Sequence, residues 1–162
     1  MEHINNMFKH EGKTASVIGN TRVKTYQELY FHLNEMQKTG EIQVHDNYLG
    51  DNPLAKTIYE KKYFIKDLNC EPIETCPEDV FKRVASFLAT VEGTKAKQKK
   101  WAKQFYNELY EGRFIPGGRV LAGAGDLYRL KTLANCFVTK IQRDDIDSIY
   151  QAAYECARTY SY

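Results

Sequence analysis

Five of the chain's ten glycines fall within residues 112–126, GRFIPGGRVLAGAGD. Regular structure tolerates glycine poorly at that density, because each one adds backbone freedom that folding must remove. What it allows is a backbone that visits positive φ and lets other groups approach closely. The chain therefore divides into a patterned region before this loop and another after it. The loop is not a dinucleotide fingerprint: Gly123-x-Gly125 is followed by Tyr128 where the third glycine should stand, and no clear strand precedes it. It is not a phosphate loop either, since the Gly-Lys-Ser/Thr ending is missing. On pattern alone, a structural loop and a ligand loop are equally supported.

Upstream, the pattern is helical. Residues 1–24 carry little periodicity and read as a loose arm. From Thr25, the residues Tyr26, Leu29, Tyr30, Leu33 and then Met36 or Gln37 recur at helical spacing, and Gly40 closes that helix. A turn-rich stretch, VHDNYLGDNP, leads to a short helix expected over 53–62 that opens on proline. Thr75-x-x-Glu78 has the form of a capping box, with Pro77 early in the helix. Val80, Phe81, Val84, Leu88 and Val91 make its apolar stripe, ended by Gly93. A further helix is expected over 95–110, with Trp101, Phe105 and Leu109 on one face. Its basic run KAKQKK reads as a solvated face rather than an anion site.

Downstream, LANCFVTKI at 133–141 is a short apolar run with β-branched and aromatic residues. It predicts a buried strand that holds Cys136. Asp144 or Asp145 then caps a last helix whose apolar face is Ile146, Ile149, Tyr150, Ala153, Ala157 and Tyr160. A strand followed by a helix is half of a βαβ unit, and the absent partner strand makes the chain read as truncated.

With 162 residues, 43% hydrophobic and 27% charged, the chain has the means to bury one core. A net charge of +2 gives no electrostatic case for a nucleic-acid partner. No apolar run approaches the roughly 20 residues that cross a bilayer, and the N-terminus has no signal-peptide core. A soluble, cytoplasmic protein is expected. Cys70, Cys76, Cys136 and Cys156 lack the close pairing of a zinc site, and none of the four histidines lies beside them in sequence, so no metal site is expected. Reduced thiols account for most of them. Cys156, by periodicity, reads as a small buried residue.

At FIPGGRVLAGAG followed by TLANCFV, the sequence resembles the catalytic chain of adenosylcobalamin-dependent (class II) ribonucleotide reductases. NPLAKTIYEKKYFIKD and PEDVFKRVASFLATVEG are similar to the segment before it, and DSIYQAAYECARTYSY to the helix after the first barrel strand. The resemblance covers roughly 52–162. It implies a mostly α fold: an arm and helix of unclear assignment over 1–50, a helical domain with the Gly-rich loop over 51–132, and the first strand and helix of a ten-stranded α/β barrel over 133–162.

The resemblance also implies a reaction for the complete enzyme. A cysteine thiyl radical, generated with adenosylcobalamin, starts the replacement of a ribonucleotide's 2′-hydroxyl by hydrogen, and a cysteine pair is oxidised to a disulfide. By position Cys136 matches one member of that pair, with its partner downstream. Gly118, Asn135 and Cys136 match substrate contacts, although many relatives carry Ser or Thr at the position of Gly118. Arg119 receives no role beyond a structural salt bridge. The implied partners are the ribonucleotide, the remainder of the reductase chain, a thioredoxin-like or dithiol reductant and, as one arrangement, a second copy in a homodimer. These 162 residues alone are expected neither to bind cobalamin nor to turn over. Two alternatives stand beside this reading: the large subunit of a class I reductase, and a non-catalytic helical interaction module.

Overall fold

The structure is a computed structural model and describes residues 6–8 and 18–161. Most of the arm expected over 1–24 lies outside the described residues, as do His3 and His10. From Asn20 onward, the described residues form the helices α1 Asn20–Lys38, α2 Pro53–Ile58, α3 Pro77–Ala89, α4 Lys95–Tyr110, α5 Gly118–Gly123 and α6 Ile146–Tyr160. A π-helical turn, Tyr59–Tyr63, continues α2. Helix α1 thus starts ahead of Thr25, and a single turn of helix forms inside the glycine-rich segment that was expected to break the pattern.

Helix α3 sits at the centre and packs against α1, α4 and α5. Eleven of its residues are buried, including Glu78, Lys82 and Arg83. Its partners meet it with Tyr26, Leu29, Tyr30, Leu33 and Met36 from α1 and Ala102, Tyr106 and Leu109 from α4. The buried face of α4 is therefore turned by one residue from the expected Trp101–Phe105 stripe; those two rings pack only at its edge. Val91 is exposed because α3 ends at Ala89, where the Thr90 hydroxyl donates to the Phe87 carbonyl at 2.6 Å. The lysines of 95–100 are solvated, and Lys95 pairs with Glu28 at 3.1 Å.

The cap of α3 also differs from the expected box. Cys76 is the N-cap, Pro77 occupies the first turn, and Asp79 accepts from the Thr75 backbone N–H at 3.2 Å and its hydroxyl at 3.4 Å. With Pro77 starting the helix, the third helical position falls on Asp79, whose carboxylate reaches back past the N-cap to Thr75, and Glu78 turns inward, where it accepts the His45 N–H at 3.2 Å. The Lys82 ammonium, nearly enclosed, reaches Asp79 at 3.0 Å and the side-chain oxygens of Asn34 and Gln37 at 2.9 Å each, tying α1 to α3.

The buried strand expected over 133–141 does not form. Among the described residues there is no strand, and β pairing is limited to an isolated antiparallel bridge, Lys66–Pro72. Residues 133–141 are irregular, with bends at Leu133 and Asn135 and no β pairing, and Phe137, Val138 and Ile141 are exposed. A strand is stabilised by a neighbour that accepts its N–H groups and covers a face, and none of the described residues offers one here. Helix α6 does form: the Asp145 carboxylate caps it by accepting the Ser148 N–H at 2.7 Å. Its expected apolar face is nonetheless exposed, and Ala152 is its one buried residue. Where the start of a barrel was expected, the structure shows an irregular segment followed by a helix.

Candidate active site

The site begins with one buried cation. Arg83 is fully enclosed on α3, and its Nε donates to the Glu74 carboxylate at 2.6 Å. Nη1 donates to the Ala124 carbonyl at 2.5 Å; Nη2 donates to the Leu121 carbonyl at 2.7 Å and the Tyr63 carbonyl at 3.1 Å. Burial alone would disfavour the charged guanidinium, but the adjacent Glu74 carboxylate more than offsets this and holds its pKa above the usual value. The other Glu74 oxygen accepts the Ile65 N–H at 2.8 Å. One guanidinium thereby fastens the π-helical turn, the 65–74 segment and the glycine-rich loop to the central helix.

Close approach of backbone to side chain explains a glycine in that loop. Gly125 has φ +80°, and its carbonyl accepts the Tyr26 hydroxyl at 3.2 Å. A Cβ there would stand 2.8 Å from the Tyr26 oxygen and 2.9 Å from Arg83 Cγ. Just beyond, Asp126 accepts the N–H groups of Tyr128 and Arg129 at 2.9 and 3.0 Å. Arg129 then donates to the carbonyls of Lys66 and Asp67 at 2.6 and 2.7 Å. The start of α5 is held in place through this framework.

A cavity of about 340 Å³ opens between that start, the irregular segment and α6. Arg119 stands on one side, Thr132, Asn135, Cys136 and Thr139 on another, and Cys156, Thr159 and Tyr160 of α6 on the third. Of the residues singled out from sequence, Asn135 and Cys136 both line it. Gly118 does not: a Cβ on it would point at the Tyr63 ring and hydroxyl, 3.6 Å away, while one on Gly117 would meet the Asn135 amide nitrogen at 3.5 Å. Cys156 is half-buried rather than fully buried and lines the cavity, with its thiol 3.6 Å from the Thr139 hydroxyl. Its spacing to Thr159 and Tyr160 puts the three on one helical face, a signal visible in the sequence only once the opposite wall is known.

All four cysteines are free thiols, and they differ in environment. Burial at the start of α3, with Asp79 close by, pushes the Cys76 thiol up to about 12. At pH 8 its thiolate would be about one part in ten thousand of the total, and the thiolate is the nucleophile. Cys70 and Cys136 are exposed. Timed iodoacetamide labelling with peptide mass mapping should therefore modify Cys70 and Cys136 well before Cys76. Equal rates would mean that burial at the start of α3 does not protect the Cys76 thiol.

The family model described as the all-alpha domain of ribonucleotide reductase matches residues 49–129. The chain belongs to the ribonucleotide reductase family. No curated protein and no solved structure matches it. The matched reductase domain runs from the turn before α2 through α3, α4 and the glycine-rich loop, so it contains Arg83, Glu74 and Arg129, while Tyr26, which bonds the Gly125 carbonyl, lies before it. Asn135, Cys136 and α6 lie after it. No described helix is long and apolar enough to cross a membrane.

Proposed function

We propose that this chain supplies the helical domain and one redox cysteine of an adenosylcobalamin-dependent ribonucleotide reductase, which makes 2′-deoxyribonucleotides for DNA synthesis. The observation that carries this reading is the shared cavity: Arg119 from the loop lines it together with Asn135 and Cys136. The chemistry suits a thiol at that place. Cys136 and a second cysteine give up two electrons and two protons as they close to a disulfide; the ribose 2′-hydroxyl leaves as water and hydrogen replaces it. A thioredoxin-like protein or a small dithiol then reopens the disulfide by exchange. The partner cysteine is assigned to the remaining reductase chain, and four free thiols suit a cytoplasmic setting.

Adenosylcobalamin supplies the radical in that class. The described residues do not fit it: the cavity is about 340 Å³, too small for a corrin, and no histidine lines it. Its site is assigned to the remaining chain. The exposed apolar surface along 137–160, from Phe137 and Val138 to Ile146, Tyr150 and Tyr154, suits coverage by that same chain.

The test is Cys136→Ser beside Cys156→Ser in the complete reductase. Cys136→Ser should abolish multiple turnover with dithiol while the circular dichroism spectrum stays unchanged, and Cys156→Ser should turn over normally. The opposite pattern would move the redox role to α6. Turnover with a separate metal-containing subunit and without cobalamin would place the enzyme in class I.

A further inference from the structure

The cavity around Cys136 has a chemical bias that the redox role does not use. Its lining carries one cation, Arg119, the hydroxyls of Thr132, Thr139 and Thr159, the amide of Asn135, and no carboxylate. Arg119 also stands apart from the other arginines of the chain. Arg22 donates to Thr90, Arg83 to Glu74, Arg113 to Glu108 and Arg129 to backbone carbonyls, Arg143 pairs with Asp145, and Arg158 is engaged as well. Among the described residues, Arg119 alone of the seven arginines has neither an ion pair nor a hydrogen bond through its side chain. The expected structural salt bridge is thus not made. It is exposed, so nothing in the fold requires its charge.

A guanidinium presents a planar fork of donors that matches phosphate oxygens two at a time. Hydroxyls and an amide around it add neutral donors without repelling an anion. Its position is fixed from below, because it lies in the first turn of α5 and the Leu121 and Ala124 carbonyls are held by Arg83. We propose that Arg119 is a substrate-positioning residue that binds the phosphate group of the nucleotide, with Asn135 and Cys136 left to face the sugar. That the anion is a nucleotide phosphate rests on the reductase reading; the preference for an anion rests on the cavity alone.

The experiment is a ¹⁵N NMR titration of the 162-residue chain with inorganic pyrophosphate, a ribonucleoside diphosphate, and the same ribonucleoside without phosphate. The first two should shift the amides of Arg119, Thr132, Thr139 and Thr159 saturably, and the bare ribonucleoside should not. Arg119→Gln should weaken pyrophosphate binding by about ten- to a hundredfold, as expected for losing hydrogen bonds to a charged group. Arg119→Lys should retain part of it, because the charge stays and the fork is lost. Matching melting curves for both variants and the parent will show that the loss is not unfolding. Pyrophosphate affinity in Arg119→Gln within twofold of the parent overturns the proposal, as does equal binding of the bare ribonucleoside. Cys136→Ser should bind pyrophosphate as the parent does, so failure of the redox assignment and failure of the anion site are read separately.

Discussion

Replacing Arg83 with methionine should cost about 3–5 kcal/mol of stability, the usual penalty for leaving one member of a buried ion pair alone. Folded domains have only about 5–15 kcal/mol in total, so most of the margin would go. Methionine keeps an unbranched apolar stem but stops short of the guanidinium and donates nothing. Glu74 would keep a buried charge, and the carbonyls of Tyr63, Leu121 and Ala124 would lose their donor. Those carbonyls separate this site from a simple ion pair. When both charges of a buried pair are replaced by apolar groups, stability is often restored. Here the double change Glu74→Met with Arg83→Met should recover only part of the loss, because the carbonyls stay unpaired whatever stands at 74. Urea unfolding of the parent, single and double variants measures this. A single variant within about 1 kcal/mol of the parent, below the range for a broken buried pair, would show that the guanidinium does not hold the loop.

Gly125→Ala should be the most damaging glycine substitution in the loop. A left-handed backbone costs a non-glycine residue roughly 1–2 kcal/mol, and the φ of +80° imposes that cost. The added methyl would also press on Tyr26 and Arg83, both enclosed, at 2.8 and 2.9 Å. Overpacking of that kind typically adds about 1–3 kcal/mol. Gly112 is the matched control. It follows α4 with φ +67° and has open space where a Cβ would go, so Gly112→Ala should show the backbone cost of about 1–2 kcal/mol alone. The two variants compared by urea unfolding isolate the methyl clash. Equal losses would mean that the loop shifts away from Tyr26 without resistance.

The helical part of this fold is legible in the sequence because apolar spacing reports burial on one side. Tyr26, Leu29, Tyr30 and Leu33 were readable for that reason, as was the span Lys95–Tyr110. The rule weakens where a helix is buried all round. Lys82 and Arg83 in α3 look like a solvent face between Phe81 and Val84, yet both are enclosed, since their partners come from residues distant in sequence. No local pattern marks Arg83 as the group that holds Ala124. The irregular segment failed for the opposite reason: LANCFVTKI has strand composition, but a strand is a property of two segments, and composition describes one. At the site, Asn135 and Cys136 could be named by resemblance, whereas Cys156, Thr159 and the open guanidinium of Arg119 became visible only when α6 was placed across the cavity.

The cavity's two sides are unequal in a way that bears on how it would fill. The Arg119 side is fixed to the buried core through Arg83, while the α6 side buries a single alanine. Elements with little buried apolar area open at a small fraction of the global unfolding free energy. Amides of α3 should therefore exchange with deuterium only on global unfolding, and those of α6 much sooner. Occupancy then depends on how often the loose side is closed, because apparent affinity is the intrinsic affinity reduced by the closed fraction. Whatever covers the apolar face of α6 would raise that fraction without touching the ligand, so covering that face and tightening the site are one and the same event.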